Sequence, residues 1–141
     1  MFIAALGNEF YADIDVLRQA VVEKSSANLI HYETSMKVDV FIMGCSPIDE
    51  EQMDRRQLVK VTTEPDRHLY VYTPEDIILQ KLRRFRMGDE VPDRQWRDIL
   101  GIVLVQRERL DERYLRRGAQ ILDVSELLER ALAEGESSRP K

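Results

Sequence analysis

Asp13 and Asp15, in "FYADIDVLRQA" (residues 10–20), have the D-x-D spacing with which one strand can offer two carboxylates to a pair of magnesium ions. The same acids also suit the start of a helix. Ile14, Leu17, Ala20, Val21 and Lys24 follow the three-and-four spacing of one helical face, which predicts a helix from about Ile14 to Lys24. Asp13 then falls at the N-cap and Asp15 in the first turn, where carboxylates stabilise unpaired N–H groups and the positive end of the helix dipole. A two-metal site also needs a rigid strand beside a phosphate-cradling loop, and only twelve residues precede Asp13. Capping is therefore the expected role.

Three further residues could do chemistry. In "MKVDVFIM" (residues 36–43) the period of two puts Val38, Val40 and Ile42 on one face and Lys37, Asp39 and Phe41 on the other. A carboxylate in mid-strand is depleted on propensity grounds, so Asp39 is either a functional acid or the partner of Lys37 or a cross-strand cation. Lys81 shares a helix face with Ile77 and Phe85, and its ammonium either snorkels outward from a buried stem or meets a phosphate. Asp98 stands four residues after Arg94, the spacing of an exposed intrahelical ion pair. Gly101, one turn on, costs its helix about 1 kcal/mol relative to Ala, so close packing is its expected reason.

The composition sets limits on these roles. A chain of 141 residues with 43% hydrophobic content has room for one modest domain, and the net charge of −5 gives no reason for nonspecific attraction to nucleic acid or anionic membrane. No stretch approaches the roughly 18–20 apolar residues of a membrane span, and "MFIAALGNEF" lacks the basic start of a signal peptide. A cytoplasmic location is expected. Cys45 is the single cysteine, which excludes an internal disulfide and a cysteine zinc cluster. His31 and His68 have no ligand spacing and read as strand residues. The arginines of "KLRRFR" and "YLRR" stand next to Phe85 and Tyr114, a mixture that can contact nucleic acid, but interspersed acids favour a solvated face.

The elements that must position these residues change character near Thr73. Before it, "EFYAD", "ANLIHYE", "MKVDVFIM", "LVKVTT" and "HLYVYT" read as strands, with a hairpin at Thr34-Ser35, a turn at "EPDR" and a short helix in "PIDEEQMDRRQ". After it, Thr73, Pro74 and Asp76 form an N-cap, first helical position and approximate capping box for "IILQKLRRFRM", which Gly88 ends. Asp93 can cap a long helix through "RQWRDILGIVLVQRER", in which Trp96, Ile99, Leu100, Val103 and Leu104 form an apolar stripe. Asp111 opens a third helix and Ser125 a fourth. The expected class is α+β: a small, mostly antiparallel sheet followed by a C-terminal helical cluster. A single domain is expected over residues 1–134, sheet-rich over 1–72 and helical over 73–134, with a disordered tail at 135–141.

Taken together, "KVDVFIM", "YTPEDIILQKLRRFRMG" and "RQWRDILG" resemble the nucleotidyltransferase-like superfamily, in particular bacterial proteins related to the nucleotidyltransferase toxins of abortive-infection systems. The resemblance covers about residues 1–130. It implies that Asp39 matches the third active-site carboxylate and metal ligand, that Lys81 contacts nucleotide or phosphate, and that Asp98 belongs to the last motif. It also implies Mg2+ and a nucleoside triphosphate as the cofactors of intact members. Intact members carry a Gly-Gly or Gly-Ser turn, a helix and a D-x-D strand ahead of the region similar to "FIAALGNEFYAD", so the fold is expected to be incomplete and Asp13 and Asp15 not to be the catalytic pair. One carboxylate does not make a dedicated magnesium site, so this chain alone is expected to hold neither cofactor as a resident group and not to turn over, with weak nucleotide binding through Lys81 left open. An exposed sheet edge would need cover from a second copy or another chain. The alternatives are a non-enzymatic protein- or nucleic-acid-binding module, or a complete nucleotidyltransferase when the chain is joined to the missing N-terminal segment.

Overall fold

The computed structural model describes residues 2–88 and 92–137, without the side chains of residues 92 and 93. The proposed capping by Asp93 and residues 138–141 of the expected tail lie outside that set. In chain order the elements are α1 (Phe2–Leu6), β1 (Phe10–Ala12), α2 (Ile14–Glu23), β2 (Ser26–His31), β3 (Lys37–Phe41), α3 (Pro47–Asp54), β4 (Gln57–Thr62), β5 (Arg67–Val71), α4 (Pro74–Met87), α5 (Pro92–Gln106), a 3₁₀ turn (Arg107–Arg109), α6 (Glu112–Ile121) and α7 (Ser125–Ser137). The protein is α+β, with antiparallel strands and clustered C-terminal helices. It divides into two compact units, one ending at Asp49 and the other starting at Glu50.

In the first unit β1, β2 and β3 form an antiparallel sheet in that order. The alternation of the strands decides its faces. Ala27 and Leu29 of β2 are buried, and with Leu17 and Ala20 of α2 they make a core flanked by Phe10, Ala12, Val38 and Val40. The opposite face carries Asn28, Lys37, Asp39 and Phe41 and is exposed. α2 ends one residue before the sequence suggests, because Lys24 adopts a left-handed conformation at φ 54° and caps it. Ile14 and Val21, expected on the buried face, are 44% and 51% exposed, so only Leu17 and Ala20 of that stripe are core.

In the second unit β4 and β5 pair as a hairpin, and four helices bury a common core. α4 supplies Ile78, Leu79 and Leu82, α5 supplies Trp96, Ile99 and Val103, α6 supplies Leu115 and Ala119, and α7 supplies Leu128, Ala131 and Leu132. Each large aliphatic side chain buried this way is worth about 1.5–3 kcal/mol. Gly118 and Gly135 permit the closest approaches: a Cβ added at either would lie 2.5 Å from Leu79 Cδ1 or 2.7 Å from Val103 Cγ1. Gly135 thereby holds α7 against α5, and the helix runs on through Ser137, three residues into the stretch expected to be tail.

Two expectations for α5 fail. Leu104, placed in the apolar stripe, is 41% exposed, because the buried face follows Gln95, Trp96, Ile99 and Val103. Gly101 is not explained by packing among the described residues, since a Cβ added there would meet none of them within 4 Å.

Candidate functional site

Lys81 and Asp98, seventeen residues apart in sequence, meet across α4 and α5: Lys81 Nζ donates to Asp98 Oδ2 at 2.9 Å. The helices are built to hold them there. Thr73 accepts from the Asp76 N–H at 3.3 Å, Pro74 opens α4, and Gly88 closes it at φ 76°. Ile78, Leu79 and Leu82 then fix which side of α4 is buried, and this leaves Lys81 at the margin with its side chain 25% exposed. On α5, burial of Ile99 fixes the rotation that presents Asp98, whose side chain is 49% exposed. The sequence spacing suggests Arg94 as the partner of Asp98, but the hydrogen bond comes from Lys81 on the neighbouring helix.

The Lys81 hydrogen bond, followed by its charge, lowers the Asp98 pKa below the ordinary carboxylate value, and Arg94 and Arg97 add smaller contributions of the same sign. Lys81, Arg94 and Arg97 all act on Asp98 as positive charges, in a chain whose net charge is −5. Such a half-exposed pair adds at most about 1 kcal/mol to stability. Its chemical capacity is to present a positioned ammonium to an anion, with phosphate oxygens the natural acceptors.

Asp39 belongs to the first unit. It lies on the exposed face of β3, opposite Asn28, and its Oδ1 is 3.5 Å from Lys37 Nζ. Asp13 caps α2, accepting from the Asp15 and Val16 N–H groups at 3.0 and 3.1 Å, and Asp15 pairs with Arg18 at 3.3 Å. The D-x-D of the opening strand–helix junction is thus a helix start. Among the described residues no group of three or more His, Cys, Asp and Glu side chains is placed to hold a metal ion. A lone carboxylate beside an ammonium does not fit Mg2+, which takes at least one or two acids together with substrate phosphates and water.

The sequence reading missed a second constellation, around the first turn of α4. Asp76 is fully buried; its Oδ1 accepts from the Tyr114 hydroxyl and its Oδ2 from Thr73 Oγ1, both at 2.6 Å. Arg55 brings its Nε to 3.5 Å from Asp76 Oδ2 and stacks its guanidinium 3.8 Å from the centre of the Tyr114 ring. Glu75 accepts from the Asp111 N–H at 2.9 Å and so ties the start of α6 to the start of α4. Burial and the Asp76 hydrogen bond raise the Tyr114 pKa well above that of a free phenol. A capping box ordinarily uses Glu or Gln at this position, and the shorter Asp76 was the one available signal that its carboxylate serves something else.

The arginines of the helical half are largely neutralised within the unit. Arg86 pairs with Glu126, Arg117 with Glu51, and Arg116 with both Glu112 and Glu129 at 2.9 Å. No helix among the described residues is long and apolar enough to cross a membrane. No protein-family model, curated protein or solved structure matches the chain.

Proposed function

We propose that this chain is a nucleotidyltransferase-like protein related to abortive-infection toxins, working in the bacterial cytoplasm, that binds a nucleotide's phosphates through Lys81 and does not by itself complete nucleotidyl transfer. The observation that carries the reading is the 2.9 Å contact between Lys81 and Asp98, which unites the two helical motifs on which the resemblance rests. Asp98 orients the ammonium, so an incoming phosphate replaces a weak, half-solvated ion pair at little cost. No transfer step is assigned through a metal, because Asp39 faces Lys37 and Asp13 is committed to its helix cap. A second chain bringing further carboxylates would complete the chemistry.

The alternative, a nucleic-acid-binding module built on the arginines of α4 and α6, is less well supported because Arg86, Arg116 and Arg117 are already paired with glutamates. Calorimetric titration with ATP tests the proposal. Wild type should bind, Lys81→Ala should lose at least about tenfold in affinity, the loss expected for one charged hydrogen bond, and Asp13→Ala should lose none. Equal binding by wild type and Lys81→Ala, or no binding by wild type, sinks the reading.

A further inference from the structure

Gly101 sits inside the 15-residue helix α5, where glycine weakens the helix relative to alanine, and no described residue would lie within 4 Å of a Cβ added there. Gly118 and Gly135 are different, since Leu79 and Val103 press against them. The neighbours of the gap give it a use. At about 100° per residue, Arg94, Asp98, Gly101 and Val105 fall within one sector of about 60° on α5, and each is exposed. The opposite side of the helix carries the buried Trp96, Ile99 and Val103. Asp98, with the Lys81 ammonium at 2.9 Å, stands in the middle of the stripe. Arg94 lies one turn, about 6 Å, towards the start of the helix, and Val105 lies two turns, about 10.5 Å, towards its end. Lys81 acts on Asp98 through a hydrogen bond and its charge, Arg94 through charge alone, and no ion pair holds the Arg94 guanidinium among the described residues. Val105 is 76% exposed, one turn beyond the gap at Gly101.

We propose that this stripe seats a nucleoside triphosphate, with its phosphate chain running from Lys81 to Arg94 and its sugar and base lying over Gly101 against Val105. With Lys81 read as a phosphate ligand, on which this assignment rests, Arg94, Gly101 and Val105 set the direction of the bound molecule. Two cations stand at one end of the stripe and an uncharged aliphatic side chain at the other, so an anionic chain that ends in a flat, largely apolar ring fits in one sense only. Arg94 offers a planar fork of donors with no carboxylate on it, which suits the terminal phosphate. A monophosphate meets Lys81 alone, whereas a triphosphate reaches both cations. A side chain at position 101 would stand where the sugar lies, and a glycine that weakens α5 is thereby accounted for. A protein surface seated here would have to desolvate Arg94 and the Lys81–Asp98 pair, while a phosphate chain supplies the acceptor that Arg94 lacks.

Calorimetric titration of the full chain with ATP, AMP and inorganic triphosphate tests this. Arg94→Ala should lower the affinity for ATP by at least about tenfold, the loss of one charged hydrogen bond, and leave AMP binding within about twofold of wild type. Gly101→Leu should lower the affinity for ATP and AMP by at least about tenfold and leave inorganic triphosphate within about twofold. Its melting temperature should not fall, because the space at position 101 is open to the described residues and leucine favours a helix. Lys81→Ala should weaken all three ligands. ATP binding lost in Lys81→Ala but kept in both Arg94→Ala and Gly101→Leu would overturn the seat on α5 and leave Lys81 a phosphate ligand. ATP binding that survives Lys81→Ala, or is absent from wild type, would overturn both. Equal losses of ATP and AMP in Arg94→Ala, or a loss of inorganic triphosphate in Gly101→Leu, would overturn the assigned direction.

Discussion

The Tyr114 hydroxyl donates to Asp76 Oδ1 at 2.6 Å, joining α6 to the first turn of α4 in the interior of the second unit. Asp76 is completely buried, and its other oxygen is held by Thr73. Removing the hydroxyl in Tyr114→Phe leaves one carboxylate oxygen short of a donor and is expected to cost about 1–3 kcal/mol. Asp76→Ala takes away the acid that Thr73, Tyr114 and Arg55 all face, and should cost about 3–5 kcal/mol, as when one member of a buried charged network is removed. Urea unfolding of the two variants measures both. Equal midpoints for wild type and Tyr114→Phe would show that the contact contributes nothing.

The same contact gives a pH dependence. A phenol whose folded pKa is raised above its unfolded value of about 10 stabilises the fold fully below that pH, and its contribution is lost as pH rises through the folded value. Burial is the first cause of the rise at Tyr114, followed by the Asp76 hydrogen bond and charge. In an ultraviolet titration of the five tyrosines, Tyr114 should therefore ionise last, together with alkaline unfolding. Tyr114→Phe should remove that late step and leave the earlier ones. A single transition near pH 10 in the native protein would contradict this.

Two glycines in successive helices should respond to alanine with opposite signs. At Gly118 the added Cβ would lie 2.5 Å from Leu79 Cδ1, and Leu79 is itself fully buried, so the helices must part or the leucine must leave its rotamer. Gly118→Ala should destabilise the protein by about 1–3 kcal/mol. Gly101→Ala enters space left open by the described residues and should stabilise α5 by about 1 kcal/mol. Thermal melts of the two variants compare them directly.

Local signals were legible in the sequence and long-range ones were not. Thr73, Pro74 and Gly88 bounded α4 because caps are decided within four residues, and the capping of α2 by Asp13 is of the same kind. The alternation in β3 placed Asp39 beside Lys37 on an exposed face for the same reason. Asp98 was assigned to Arg94 because sequence spacing sees only one helix, whereas Lys81 reaches it from another. Asp76 reads in the sequence only as part of a capping box, since its burial depends on Arg55 and Tyr114, which lie 21 and 38 positions away. Gly101 was read as a packing residue because a sequence does not reveal what faces a helix. α1 carries no charge signal of a helix: its five residues lack both an acidic first turn and a basic last turn.

Asp13 separates the two meanings of the D-x-D. If the carboxylate serves α2, Asp13→Ala removes the acceptor for the Asp15 and Val16 N–H groups and should destabilise the first unit by about 1 kcal/mol. Asp13→Ser should recover most of that loss, because a serine hydroxyl caps a helix as well as a carboxylate does. A metal ligand behaves in the opposite way, since serine is a poor replacement for a carboxylate on Mn2+ or Mg2+. Hydrogen exchange at the amides of α2 reports the capping role, and a manganese titration by paramagnetic relaxation reports the metal role. Asp13→Ser with native exchange rates, and no difference from wild type in the titration, is the expected outcome. Manganese bound by wild type and lost in Asp13→Ser would return these acids to a catalytic role.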